Sequence, residues 1–281
     1  MVKVAQALRE AAERLAAVSD TARLDAELLL ANALGCTRGT LLLNRMADPV
    51  PANFAALIKR RLASEPVAYI TGVQEFYGRP FAVSPAVLIP RADSESVITA
   101  ALARMDRAGR VLDCGTGSGA LLLTLLAERP GWSGIGIDAS AEALAVAAAN
   151  AANLALDDRA ALRRADWTQP GWKDGLAPFD LIIANPPYVE AHAALSREVR
   201  DYEPHAALFA GEDGLADYRV LISQLGSLLA PAGWVVLEIG ATQGAAVKTL
   251  AREAGFAGQI LPDLAGRDRA VALQRAGTSR G

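Results

Sequence analysis

Apolar positions follow two different periods along the chain, and the change falls near residue 92. In the first third the spacing is helical. Val4, Leu8, Ala12 and Leu15 share one predicted helix face, and a second helix carrying Leu24, Leu28 and Leu29 closes at Gly35. Pro51 opens a third, whose predicted inward positions are Phe54, Leu57, Ile58 and Leu62. These stripes predict a small helical-bundle domain over residues 1–65. Residues 66–91, "PVAYITGVQEFYGRPFAVSPAVLIPR", are β-branched and aromatic, punctuated by Gly72, Gly78, Pro80 and Pro85. That pattern predicts a β-hairpin connector, and an aromatic linker is expected to pack against something.

Over residues 92–281 strand-like runs alternate with segments of helical length. The predicted strands are Arg110–Cys114, Gly134–Asp138, Ala161–Ala165, Phe179–Ala184, Trp234–Ile239, Phe256–Ile260 and Ala270–Leu273. Alanine- and leucine-rich segments lie between most of them. The alternation predicts an α/β domain with a Rossmann-like, mostly parallel sheet covered on both faces. In such sheets ligands bind at the carboxyl ends of the strands, where the polar motifs of this chain fall.

Composition narrows the picture. The 281 residues suit a main domain of about 190 residues plus a smaller partner, against a prior of ~100–200 per domain. Hydrophobic residues make up 52%, enough for a sizeable core, although much of that count is helix-forming alanine. Formal charge is −3, and residues 1–65 hold nine Lys/Arg against seven Asp/Glu, so direct DNA binding is not expected. Cys36 and Cys114 match no Cys/His ligand spacing, so no metal is expected and a reducing cytoplasm is the simplest setting. The N-terminus has no signal-peptide pattern, and no stretch approaches the ~18 apolar residues of a membrane helix. No internal repeat is visible, and the only low-complexity segment is the polar tail "RAGTSRG".

"VLDCGTGSGALLLTLL" places Gly115, Gly117 and Gly119 between a strand and a helix. Glycines allow a tight turn and close approach to a ligand, and a helix N-terminus offers unpaired N–H groups. With Ala120 following, the run also satisfies the dinucleotide pattern G-x-G-x-x-A. Asp113, just before the glycines, could pair with a cationic group but would repel a pyrophosphate. Asp138 ends the next strand, where an acid commonly accepts the two hydroxyls of a ribose. A nucleoside with a cationic amino-acid tail, S-adenosylmethionine, fits both. Asp166 and Trp167, at a third strand end, could accept from an adenine amino group and cover its ring.

"FDLIIANPPYVE", residues 179–190, starts as a buried strand and ends in Asn185, Pro186, Pro187 and Tyr188. Each proline fixes its φ and lacks an N–H, which leaves stiff backbone with carbonyls free to accept. An amide nitrogen is a poor nucleophile because its lone pair is delocalised. The Asn185 side-chain oxygen and the Pro186 carbonyl could hold both its N–H groups and aim it at a methyl donor, with Tyr188 packed on the flat group. Catalysis of that kind is positioning and electrostatics, without metal or covalent intermediate. A nicotinamide-dependent dehydrogenase or a non-catalytic nucleotide-binding module leaves this tetrapeptide unexplained.

Together these residues make the chain resemble the release-factor glutamine methyltransferases, which methylate the side-chain amide of the glutamine in the Gly-Gly-Gln motif of peptide-chain release factors. The likeness runs through "RLDAELLLANALG", "EPVAYITGVQEFYGRPFAVSPAVLIPRADSE", "LDCGTGSGA", "NPPYV" and "EVRDYEPHAALFAGEDGL". It implies a seven-stranded methyltransferase sheet and release factors as partners, docked by residues 1–65. Gly115, Thr116, Gly117, Ser118, Gly119, Asp138, Trp167 and Asn185 would contact S-adenosylmethionine. Asn185, Pro186, Pro187 and Tyr188 would hold the glutamine, and Arg91 would lie in a loop beside the cofactor. Ala92 stands where the family usually has a second proline, and Cys114 replaces a usual leucine. Glu238 and Asp180 read as structural carboxylates, His192 and His205 as bystanders. A ribosomal-protein glutamine methyltransferase is the nearest alternative; DNA adenine methylation calls for a basic target-recognition segment that the chain lacks.

Overall fold

Burial decides which of the predicted stripes turn inward. A computed structural model describes residues 2–277, so Met1 and residues 278–281 of the polar tail lie outside the described residues. The chain divides into two compact units: residues up to Val73 together with Leu195–Glu203, and Gln74–Ala194 together with Pro204 onward.

The first unit holds α1 (Val4–Leu15), α2 (Ala22–Ala33), α3 (Arg38–Asn44), α4 (Phe54–Leu62) and α5 (Val67–Thr71). Its core is built on Val4, Leu8, Leu15, Leu29, Leu30, Leu41 and Ile58. Ala12 is only half-buried, and Leu24 and Leu28 are exposed. Leu28, Leu29 and Leu30 are consecutive, so periodicity alone cannot tell which of them face inward; Ala26, Leu29 and Leu30 do. Helix α3 was not expected. Its N-cap Thr37 accepts a hydrogen bond from the Thr40 N–H at 3.1 Å. Helix α4 begins at Phe54, after a turn closed by the Phe54 N–H donating to the Pro51 carbonyl.

The connector is part helix and part hairpin. Residues 67–71 form α5, and the hairpin strands are β1 (Val73–Phe76) and β2 (Arg79–Ala82). Phe76 and Phe81 sit edge to face, 6.2 Å between ring centroids, in one core cluster. Farther along come α6 (Glu95–Leu102), β3 (Gly109–Cys114), α7 (Ala120–Glu128), β4 (Trp132–Asp138), α8 (Ala141–Asn153), β5 (Ala160–Arg164) and β6 (Phe179–Ala184). The short helix α9 (Arg197–Tyr202) belongs to the first unit, after which α10 (Ala216–Leu225), β7 (Leu229–Glu238), α11 (Gly244–Glu253), β8 (Phe256–Pro262) and β9 (Asp268–Arg275) complete the second.

Among the described residues β3 to β9 form one seven-stranded sheet in the order β5-β4-β3-β6-β7-β9-β8. Strands β3 to β7 pair in parallel, while β9 runs antiparallel to β7 and β8. Both faces are covered. Leu181 and Ile183 of β6 enter one core with α6 and α7, whereas Ile182 and Ala184 enter the other with α10 and α11. That is why β6 reads as a continuous apolar run. The direction of strand progression reverses between β3 and β6, so the crevice expected for a ligand opens between Cys114 and Ala184, which lie side by side.

Candidate active site

The glycine loop is shaped by the strand beside it. The N–H groups of Gly115 and Thr116 both donate to the Ile137 carbonyl at 2.9 Å, and that of Gly119 to the Thr116 carbonyl at 2.8 Å. Gly115 takes φ +76°, and a Cβ there would come within 3.2 Å of the Trp167 ring. A side chain at this position would therefore be strained in backbone and crowded in space. Asn150 of α8, fully buried, donates to the Ser118 and Ala82 carbonyls and accepts from the Ala82 N–H, joining the loop to the hairpin.

A cavity of about 400 Å³ opens above this loop. Its lining includes Gly115, Thr116, Gly117, Ser118, Asp138, Asp166, Trp167, Asn185 and Pro187, along with Arg91. Apart from Arg91, which lies between the hairpin and α6, these lie at or just past the ends of β3, β4, β5 and β6. Asp138 accepts from the Gly117 N–H and the Ser140 N–H, both at 2.9 Å, which fixes its carboxylate at the cavity edge. Trp167 donates its indole N–H to Asp217 at 3.1 Å. Burial raises the Asp217 carboxyl above its usual value.

Other predicted residues lie elsewhere. Asp113 is buried beneath the loop, off the cavity lining, with one oxygen accepting from the Thr116 hydroxyl at 2.7 Å and the other without a partner among the described residues. Burial pushes its pKa up to about 7. Gly119 and Pro186 are also off the lining. Tyr188 turns away from the cavity: its ring packs against the α10–α11 core, and its hydroxyl points to Glu238 at 3.4 Å. Burial, chiefly, raises that hydroxyl to about 12, so it stays protonated as a donor.

The remaining polar groups singled out in the sequence, Asp180, Glu238, His192 and His205, are off the cavity lining. Asp180 caps the far end of the sheet by accepting from the Arg110 N–H. His192 is exposed beside Glu212, and His205 stacks edge to face on Phe209. Sequence reasoning assigned no role to Ser94, Pro204, Ala206, Ala207 or Asp217, all of which line the cavity. The "DYEPHAA" run was a recognisable signal for three of them, since it formed part of the resemblance. For Asp217 no local pattern existed.

Asp138, Asp166 and Asp217 face the cavity and, among the described residues, Arg91 is the lone basic residue in the lining, so the walls suit a cationic nucleoside better than a pyrophosphate. Among the described residues no group of His, Cys, Asp and Glu is arranged to hold a metal ion.

A solved methyltransferase from Pyrococcus furiosus superimposes with a TM-score of 0.53, at 17% identity, covering 80% of this chain and 99% of that one. That likeness shows the fold: a Rossmann-like α/β sheet with a cavity at its switch point. Residues 6–72 match the PrmC N-terminal domain family, and residues 91–202 the methyltransferase small domain family. A release factor glutamine methyltransferase of Cereibacter sphaeroides is 46% identical over 97% of this chain and 99% of its own length. That of Moorella thermoacetica is 45% identical over 96% and 98%. The chain belongs to the release factor glutamine methyltransferase family.

Proposed function

We propose that the chain methylates the side-chain amide nitrogen of the glutamine in the Gly-Gly-Gln motif of peptide-chain release factors, with S-adenosylmethionine as donor. The observation that carries this reading is the placement of Asn185 and Pro187 on the cavity wall at the sheet's switch point, next to the strand end that leads into the glycine loop. When bound, S-adenosylmethionine supplies an electrophilic methyl group. Asp138 takes the ribose hydroxyls, Trp167 covers the adenine, and Asp166 accepts from its amino group. Gly115 to Gly119 let the backbone approach.

On the substrate side, the Asn185 side-chain oxygen and the Pro186 carbonyl accept the two N–H bonds of the glutamine amide. This fixes a weak nucleophile in one orientation, where positioning replaces the entropy of chance encounter. Pro187 forms the wall beside it, and Tyr188 anchors the far end of the tetrapeptide. The helical domain, residues 1–65, docks the release factor; the match of residues 6–72 to the family's N-terminal domain supports this. Residues 66–91 connect it to the catalytic domain, 92–281.

The test uses labelled methyl donor and a purified release factor. Wild type transfers label, and Asn185→Ala slows transfer by ~10²–10³ while melting as the wild type does, the usual effect of losing one positioned active-site hydrogen bond. An Asn185→Ala enzyme of undiminished rate would remove the residue from the mechanism.

A further inference from the structure

The tetrapeptide after β6 is stiff within itself, yet stiffness does not fix where its far end goes. Its start is set by β6, whose Ala184 pairs with Cys114 on one side and Leu237 on the other. Its end is Tyr188. The N–H groups of Tyr188 and Val189 both donate to the Leu208 carbonyl, at 3.2 and 2.8 Å. The Tyr188 hydroxyl contact with Glu238, at 3.4 Å, is long for a hydrogen bond of that type.

The Tyr188 carbonyl has a better partner. Gln243, in the loop between β7 and α11, donates from Nε2 to the Tyr188 carbonyl at 3.0 Å and to the Gly214 carbonyl at 3.2 Å. Its Oε1 accepts from the Gly240 N–H at 3.0 Å. Both ends of one side-chain amide are thus engaged, and three separate loops meet on it. The packing leaves no slack: a Cβ on Gly214 would fall 2.4 Å from the Tyr188 carbonyl oxygen and 2.7 Å from Gln243 Nε2. Gly214 is therefore the residue that lets these groups close on each other, and its φ of +68° also favours glycine. Gln243 itself is off the cavity lining.

We propose that Gln243 is a positioning residue for methyl transfer, holding the Asn185–Tyr188 tetrapeptide at the cavity through the Tyr188 carbonyl. The inference rests on the methyltransferase reading above. Asn185 sits three residues before the pinned carbonyl, with two prolines between, so a shift at Tyr188 is passed to the Asn185 carboxamide with little loss. Without Gln243 the Leu208 bonds still hold the segment, and the fold survives.

Wild type, Gln243→Ala and Gln243→Glu are compared by thermal melting, by hydrogen exchange, by calorimetric binding of S-adenosylmethionine and by single-turnover transfer to a purified release factor. In both variants the Tyr188 and Val189 amides exchange about tenfold faster while α7 keeps wild-type protection, since one anchoring hydrogen bond has been lost. Single-turnover transfer slows by about 10- to 100-fold, with donor affinity within about twofold. Gln243→Glu keeps the acceptor for Gly240 but faces two carbonyls with a carboxylate, so it is at least as impaired as Gln243→Ala. Wild-type exchange at Tyr188 and Val189 in either variant overturns the proposal, as does slowing that only follows a general loss of melting temperature with faster exchange everywhere. If wild type itself transfers no methyl group to a release factor, the functional reading fails, while the exchange comparison still decides whether Gln243 holds Tyr188.

Discussion

Two carboxylates at strand ends, Asp113 and Glu238, are each about 1% exposed. Burial is the main reason that Glu238 is pushed up to about 7; Ser94, Arg269 and Tyr188 favour its charged form and Asp93 opposes it. An unfolded glutamate releases its proton near 4.5, so between that value and about 7 the folded chain holds a proton that the unfolded chain has lost. The contribution of this group is complete below about 4.5 and is lost as pH rises through 7. Glu238→Gln, which cannot ionise, is predicted to gain on the wild type in melting temperature between pH 5 and pH 8.5. A constant offset across that range would contradict the assignment. At this scale the cavity positions of Asn185, Asp138 and Trp167 were legible because strand ends in an α/β sheet are where ligands bind. Asp217 and Gln243 were not: their partners, Trp167 and Tyr188, lie 50 and 55 residues away, and no local pattern encodes such a pairing.

Among the elements, the central strands were the most legible. Phe179–Ala184 was placed residue for residue, because a strand buried on both faces needs an unbroken apolar run. Helix α3 and the exposure of Leu24 and Leu28 were not legible, because short helices and consecutive leucines leave the inward face undetermined. The hairpin's aromatic character did foretell packing, and Asn150 shows how that packing is fixed. Its side chain makes three hydrogen bonds, two to Ala82 and one to Ser118. Asn150→Ala strands those backbone groups and is predicted to cost about 1–3 kcal/mol of unfolding free energy by denaturant titration. A change below about 0.5 kcal/mol would mean that the hairpin is held by its phenylalanines alone.

At the scale of the whole molecule, the chain passes between its two compact units at Val73, Ala194 and Glu203. The segment Leu195–Glu203 joins the helical unit through Glu198, which pairs with Arg61 at 2.9 Å, and Tyr202, which donates to the Ala63 carbonyl at 3.0 Å. Arg61 also pairs with Asp25 at 2.7 Å, and both side chains are buried. The change of period falls near residue 92, whereas the chain first passes between the units at Val73, and the return of this segment to the first unit was not legible, because its partners are some 140 residues distant in sequence. Full-length similarity to the release factor enzymes, rather than any one motif, is what supports the proposal of a protein substrate. The most direct test is mass-spectrometric mapping of methyl groups on a purified release factor after incubation with the enzyme and labelled S-adenosylmethionine. One methyl group on the side-chain amide of the Gly-Gly-Gln glutamine, absent from a Gln→Ala target, is the predicted result; label at any other residue, or label persisting on that target, would contradict the account.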